Sequence, residues 1–400
     1  MTNNILIKAG QIGFGVGVCP DDCIKQLELQ KLDGTDTSSS PSYGNYITKD
    51  GSVMVFIPAF VYRTIKNTLQ ISYDIALEGS DGWILHRAFV NDSKKLKGFL
   101  VDKYLCSPTE DNKSIRSVKN ADPITLSPKG SKFIDNPQCK GQVQDAYVLA
   151  KTRGEKYCVV SCFAYSALRM LSLAHAQASS NTENCAWWDE THCFVKGNTK
   201  YLSDAYDESV KYTECANFPS KRGKTGSGTP FAKTTHNGQD CGVADISGCI
   251  TEIGIGVAQN ADMSDRNLYV FKSEKNLEDI TVDTVLQCDT YYDSVPCTHF
   301  KNISGFWTEG VNQFSSENSG IDWALAGVYP LDADMQKRAV KYLQGEYIPA
   351  GVASKYTRCV FTIGGTFMEG TRCGLWYTSN KSHNNGSLST TGFRCMLLVE

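Results

Sequence analysis

Apolar residues along this chain follow three patterns, and each predicts a different kind of element. From Ser52 onward come runs rich in β-branched and aromatic residues, "VMVFIPAFVYR" (Val53 to Arg63) and "GFLVDKYLC" (Gly98 to Cys106), ended by turn formers and therefore expected as strands. The period then becomes helical. Val143, Ala146, Tyr147 and Ala150 fall at i, i+3, i+4 and i+7, with Gly154 at a C-cap position, which predicts an amphipathic helix over Gln142 to Arg153. Ser161 is placed to cap a second helix whose apolar face is Phe163, Ala167, Met170, Leu171 and Ala174. Residues 179 to 240 are polar and Gly-rich and are broken by Pro219 and Pro230, which predicts long surface loops. The last pattern lies between Val360 and Glu400. There Gly364-Gly365 and Gly392-Phe393-Arg394-Cys395 bracket a run of Ser, Thr, Asn, Gly, Trp, Tyr, Lys and His with neither period, expected as a polar, aromatic-studded loop. Tyr and Trp offer contact area at low entropy cost while Ser, Asn and Gly adapt, so this composition suits a recognition surface.

The start of the chain reads differently. Gly13, Gly15 and Gly17 alternate with apolar residues, and the Ser/Thr/Gly/Pro tract from Gly34 to Tyr43 has linker composition. The expected organisation is a short attachment or oligomerisation segment with a hinge over 1–45, then a ligand-binding domain over 46–400 whose variable region is about 360–395. With 41% hydrophobic and 10% aromatic residues in 400, the chain can bury a sizeable core.

Charge and cysteine usage narrow the partners. A formal net charge of −3 without a dense Lys/Arg stripe argues against nucleic acid. The N-terminus "MTNNILIKAGQIGFGVGV" has no apolar stretch followed by a cleavage site, and nowhere do about 18 apolar residues run together, so neither a secretion signal nor a membrane span is expected. The 16 cysteines are too sparse for a disulfide scaffold and form no pair of Cys-x-x-Cys knuckles, so most are expected as buried thiols. Cys19 and Cys23 flank Pro20, Asp21 and Asp22 and could hold a metal, but without a second pair the signal is weak.

Catalytic signatures are missing from the sequence. There is no G-x-S-x-G, no H-E-x-x-H and no Gly-rich loop after a strand. "GKTGSG" (Gly223 to Gly228) is not a phosphate loop, since Phe218 stands where the first glycine would be. "WWDETH" brings Asp189, Glu190 and His192 beside Trp187 and Trp188, a solvated loop with aromatic anchors before it is a catalytic or sugar-stacking patch. His175, at a helix end, is expected as a structural or surface group.

"CGVADISGCITEI" (Cys241 to Ile253) is similar to the "G-L-Y-D-M-x-G-N-V-W-E-W" signature of the formylglycine-generating-enzyme (sulfatase-modifying factor) version of the C-type lectin fold, with Gly242, Asp245, Gly248 and Glu252 in register. The early strand "VMVFIPAF", the paired helices and the closing "GG…GFRC" follow in the family's order over roughly residues 50 to 400. Within that family the chain resembles most the variable proteins of diversity-generating retroelements, including phage tail receptor-binding proteins of the major tropism determinant type. Gly364, Gly365, Gly370, Gly374, Leu375, Gly392, Phe393 and Arg394 agree with their terminal pattern, and the differences gather at Phe367, Met368, Glu369, Arg372 and between Ser379 and Leu388.

The resemblance implies an α+β, C-type-lectin-like domain with small twisted antiparallel sheets and two helices, preceded by a short N-terminal segment. It implies ligand recognition without catalysis and with no cofactor. The implied contact residues are Phe367, Met368, Glu369, Thr371, Arg372, Trp376, Tyr377, Ser379, Asn380, Lys381, Ser382, His383 and Leu388, with Trp376 equally open to a framework role. Phe367, Trp376 and Tyr377 would be anchors, and Arg372, Lys381 and His383 would supply polar specificity. Arg394 is expected to be structural. A host-surface protein or a glycan would be the ligand, a homotrimer the assembly, and other tail proteins the partners of the N-terminus. The setting would be a phage virion, or alternatively a bacterial cell surface. The rival implied by the same family is a copper oxidase, which needs two neighbouring thiols; Glu369 stands at the first thiol position and only Cys373 is near the second. Calcium-dependent sugar binding would need Glu-Pro-Asn or Gln-Pro-Asp beside Trp-Asn-Asp, and none of these strings occurs.

Overall fold

The computed structural model describes residues 7–65, 68–130, 134–179, 182–186, 195–216, 219–259, 268–281, 283–284, 288–295, 359–370, 373–383 and 387–400. The architecture is mixed α+β, mostly small antiparallel sheets with few helices. No helix among the described residues is long and apolar enough to cross a membrane.

Two six-stranded sheets organise the chain. The central one runs in the order Gln30–Lys31, Asn45–Ile47, Val53–Pro58, Gly98–Asp102, Cys395–Val399, Cys158–Val159, with every neighbour antiparallel. The last strand of the chain thus lies inside this sheet, between elements nearly 240 and 300 positions earlier by number. Its residues Cys395 to Val399 are all buried. The second sheet orders Tyr292–Val295, Leu268–Phe271, Thr251–Gln259, Cys359–Gly364 and Gly374–His383 antiparallel, with Thr391–Gly392 joining Thr251–Gln259 in parallel. A third, three-stranded sheet is made by Thr68–Ser72, Val61–Ile65 and Ile84–Leu85.

The strand expected over Val53 to Arg63 is two strands in two different sheets, broken at the buried Ala59 and Phe60. Likewise Gly98 to Cys106 ends as a strand at Asp102, and Cys106 opens a separate hairpin with Ile115–Ser117. Both helices read from periodicity are present. The first, Asp145–Lys151, starts where the buried Asp145 carboxylate accepts the N–H groups of Lys140, Gly141 and Gln142. In the second, Cys162–Ala178, the Ser161 hydroxyl accepts the Ala164 N–H at 3.0 Å, the expected cap. This helix is buried from Cys162 to Ala176 on all sides, although only one apolar face was expected. Its other sides are covered: Leu69 N–H reaches Gln177, and the Ser172 hydroxyl donates to the His236 carbonyl. Two shorter helices, Asp21–Gln26 and Cys288–Tyr291, were not anticipated.

The N-terminal region departs most from expectation. The tract from Gly34 to Tyr43 is not a free hinge but a chain of turns, in which Thr37, Ser40 and Tyr43 N–H groups donate to the Gly34, Thr37 and Ser40 carbonyls. Thr35 and Tyr43 are buried, and the Lys103 ammonium donates to Asn45 Oδ1 at 2.6 Å and to the Asp240 carbonyl at 2.7 Å beneath the tract. Turn residues here close turns, which composition alone does not distinguish from a solvated linker. Upstream, Phe14 and Val16 enter the main core. Cys19 and Cys23 pack in a smaller cluster with Tyr46, Met54 and Leu100, and among the described residues no third metal-ligating group joins them. The loops from 179 to 240 are irregular as expected, with a single 3-10 turn, Phe231–Thr234, and isolated bridges among their described residues. They do not stay on the surface, however: Val195, Asn198, Val210 and Thr234 to Asn237 are buried, with the Asn198 and Asn237 side chains satisfied by internal hydrogen bonds.

Two buried histidines fasten the N-terminal region to these loops. His175 Nδ1 accepts the Gly10 N–H at 3.1 Å, and its ring stacks on Phe14 with centroids 5.3 Å apart. His236 Nδ1 accepts the Val243 N–H at 3.0 Å, which leaves Nε2 to donate to the Gly15 carbonyl at 3.1 Å. Burial pushes the His236 pKa from 6.5 down to about 3. Between those two values the unfolded chain binds a proton that the folded one refuses, so this contribution is present above pH 6.5 and is lost as pH falls. Asp245, which burial pushes up to about 6, acts in the opposite sense over part of that range. The diagnostic quantity is therefore a difference. The stability lost between pH 7 and pH 4 should be about 3 kcal/mol greater in the parent than in His236→Gln, as read from urea melts at both pH values.

Candidate functional site

The region marked by the sequence is built around Arg394. Its guanidinium has no exposed surface and forms a two-pronged pair with Glu252, Nε to Oε2 at 2.6 Å and Nη2 to Oε1 at 3.0 Å. Nη1 donates to the carbonyls of Lys103 (2.9 Å) and Asp102 (3.3 Å), and the Tyr165 hydroxyl donates to Glu252 Oε2 at 2.7 Å. Burial alone would lower the Arg394 pKa, and Glu252 more than reverses that, holding the guanidinium protonated. One side chain so joins the end of a central-sheet strand, the second sheet and the long helix. Asp245 lies close by with φ of 59°, accepting the Gly226 N–H and the Tyr212 hydroxyl. The acids of the "CGVADISGCITEI" string thus serve internal hydrogen bonds.

The segment before Arg394 is held as closely at its start. Gly364 and Gly365 have φ of 93° and 78°, and a Cβ on Gly365 would stand 2.8 Å from Cys373 Sγ. Side chains are therefore excluded on both conformational and steric grounds. Gly248 N–H donates to the Gly364 carbonyl, and Phe367 N–H to the Cys249 carbonyl, docking the 364–370 turn on the string above. Glu369 folds back so that its Oε2 accepts the Thr366 N–H at 2.6 Å. The Cys373 thiol is buried and donates to the Thr366 carbonyl at 2.8 Å; burial holds its pKa well above the ordinary range. Among the described residues no second sulfur lies within hydrogen-bond reach of Cys373.

Several expected contact residues are placed otherwise than anticipated. Phe367 is a core residue, only 3% exposed, because its backbone is pinned on both sides and its ring faces Tyr201 at 6.2 Å between centroids. It is not an exposed anchor. Leu388 is half-buried against the main core, with its N–H on the Leu126 carbonyl. Met368, at 52% exposure, does project outward. Trp376, Tyr377, Ser379, Asn380, Lys381, Ser382 and His383 were expected on a loop; they lie on the ten-residue strand Gly374–His383, at the edge of the second sheet. It pairs with the Cys359–Gly364 strand through two register shifts, so backbone pairing forms the strand where the sequence offers no period-2 pattern. Thr371 and Arg372, and also Asp189, Glu190 and His192, lie outside the described residues.

The structure adds residues that sequence reasoning did not select. Gly370 N–H donates to the Thr199 carbonyl and Tyr201 N–H to the Phe367 carbonyl, laying the 198–203 turn beside the 366–370 turn. Tyr201 is 54% exposed with φ of 45°, and the Lys221 ammonium sits 5.5 Å from its ring centroid. Met368, Tyr201 and Lys221 therefore belong to one surface assembled from segments about 150 positions apart. Nothing local marks Tyr201 in a polar loop. No protein-family profile matches the chain, and no curated protein matches it in sequence.

Two outcomes follow for stability. Arg394→Ala leaves Glu252 buried and unpaired and should cost about 3–5 kcal/mol in urea denaturation. Adding Glu252→Gln should recover about 1–3 kcal/mol of that, since the stranded charge is gone; a double variant as unstable as the sum of its singles would show the pair to be uncoupled. Phe367→Ala should cost about 3 kcal/mol as a core truncation, measured the same way.

Proposed function

We propose that this chain is a ligand-recognition protein with a C-type-lectin-like framework of the formylglycine-generating-enzyme type, whose contact surface is the segment between Gly365 and Gly392. The observation that carries the reading is the division of labour inside that segment. Its ends are fixed by glycines in left-handed conformations and by a fully buried Arg394, while Met368 stands exposed beside Tyr201 and Lys221. A frame that draws its stability from buried groups leaves neighbouring surface positions free to vary, which suits a diversified receptor-binding protein of a phage tail. A variable binding protein on a bacterial surface would use the same design. The ligand is a host-surface protein or glycan, the assembly a homotrimer, and the N-terminal region the contact with other tail proteins. The oxidase reading is disfavoured by Cys373, a buried thiol hydrogen-bonded to a carbonyl, with Glu369 at the other thiol position.

Two measurements bear on this. The triple variant Tyr201→Ala, Met368→Ala, Lys221→Ala changes exposed groups and should stay within about 1–2 kcal/mol of the parent in stability. Its adsorption to host cells, or retention on a host-surface extract, should fall by roughly a hundredfold or more. Normal adsorption by a folded triple variant would place the binding surface elsewhere. Separately, a Cys-containing sulfatase peptide supplied with copper should yield no aldehyde above a Cys373→Ala control.

A further inference from the structure

Beneath Arg394, two sulfurs touch. Cys106 opens the strand Cys106–Pro108 and Cys395 opens Cys395–Val399, and their Sγ atoms lie 3.8 Å apart although the residues are 289 positions apart in sequence. Both residues are fully buried. Their backbones are fixed: Cys106 N–H donates to the Phe393 carbonyl at 3.1 Å, and Cys395 N–H to Asp102 Oδ2 at 2.8 Å. The Cys106 thiol also reaches Asp102 Oδ2, at 3.3 Å, and Asp102 is itself held by the Arg153 guanidinium at 2.8 Å from both oxygens. Among the described residues, this is the pair of cysteines whose sulfurs come within contact distance. A disulfide of about 2.05 Å needs each sulfur to move by less than about 1 Å, within the reach of side-chain rotation.

The same three residues, Asp102, Cys106 and Cys395, place one ligand atom each within 4.8 Å of the others. A closed metal site is the weaker assignment. Both Asp102 oxygens already accept from Arg153, one also from the Cys395 N–H, and no fourth ligand joins them among the described residues.

We propose that Cys106 and Cys395 are an oxidative cross-linking site, forming a disulfide when the folded protein meets a low-molecular-weight disulfide such as oxidised glutathione. Cys106 gives up its proton, with Asp102 as the adjacent acceptor, and its sulfur attacks the glutathione S–S bond, expelling one glutathione thiolate. Cys395 loses its proton and attacks Cys106 Sγ, expelling the second. The two protons end on the two thiolates, so two protein thiols and one small disulfide become one protein disulfide and two small thiols. Burial holds the Cys106 thiol well above its ordinary range, so the exchange proceeds through opening of the small hairpin of Cys106–Pro108 with Ile115–Ser117 and is slow at neutral pH. The product ties the buried C-terminal strand to that hairpin next to Arg394. It would form once the protein leaves a reducing compartment, and it does not depend on which ligand the protein recognises.

The test uses the full chain, reduced, freed of reductant and held with oxidised glutathione at pH 8, with and without urea below the unfolding midpoint. Intact mass should fall by about 2 Da for the two hydrogens lost. Non-reducing peptide mapping should join the Cys106 and Cys395 peptides, and the melting temperature should rise by several degrees and return on adding dithiothreitol. Cys106→Ala and Cys395→Ala should each abolish the joined peptide. The mapping on the parent stands even where a variant fails to fold. Recovery of both cysteines as free thiols after the urea incubation, a cross-link to other cysteines instead, or a stoichiometric metal ion in the native mass of the unoxidised protein would each overturn the proposal.

Discussion

A single buried ion pair, Arg394 with Glu252, is the constraint on which the rest of this structure depends. Taking two charges out of water costs several kcal/mol for each, and the pair is tolerable because every direction around it is answered. Glu252 accepts from Arg394 twice and from Tyr165, while Arg394 Nη1 donates to the Asp102 and Lys103 carbonyls. Those partners come from a central-sheet strand and the residue that follows it, the second sheet and the long helix. The pair therefore does what apolar contact does less selectively: it admits only the arrangement in which all these elements meet at one point.

A second buried pair, Asp102 with Arg153, extends the constraint. Asp102 takes both Arg153 bonds and the Cys395 N–H, and Arg153 continues to Asp50 at 2.7 Å. The end of the chain is thus anchored on both sides of Arg394. A C-terminal strand held this way inside a sheet can carry a segment before it whose surface residues contribute little to stability. The Gly374–His383 strand is at a sheet edge with one neighbour, and the Met368 and Tyr201 turns lean on each other chiefly through backbone hydrogen bonds. Substituting the exposed Met368 or Tyr201 removes little buried surface, which links the packing to the proposed recognition role.

How much of this was legible beforehand varies by element. Ser161 as a cap, the two helical segments, Arg394 as a structural residue and the irregular backbone of residues 179 to 240, though not its burial, were readable because each rests on a local signal: a capping hydroxyl, a 3.6-residue period, an isolated charge in an apolar frame, or proline and glycine density. The linker reading of Gly34 to Tyr43 failed because turn residues have the same composition whether solvated or packed. Phe367 was misjudged because it sits among polar neighbours, and its burial comes from Cys249 and Tyr201, which are far away in sequence. The edge strand Gly374–His383 was read as a loop because its pairing needs no alternating pattern.

The sequence by itself determined the two longer helices, the Ser161 cap and the kinds of residue available for recognition. These are properties of a residue and its near neighbours, so a local reading reaches them. Only the tertiary structure decided that Arg394 meets Glu252, that Cys106 meets Cys395, that the N-terminal turns are part of the core and that Tyr201 shares a surface with Met368. Each of those is a contact across a large separation in sequence. Such a contact is fixed by which buried donors and acceptors can be satisfied together, and no single stretch of the chain carries that information.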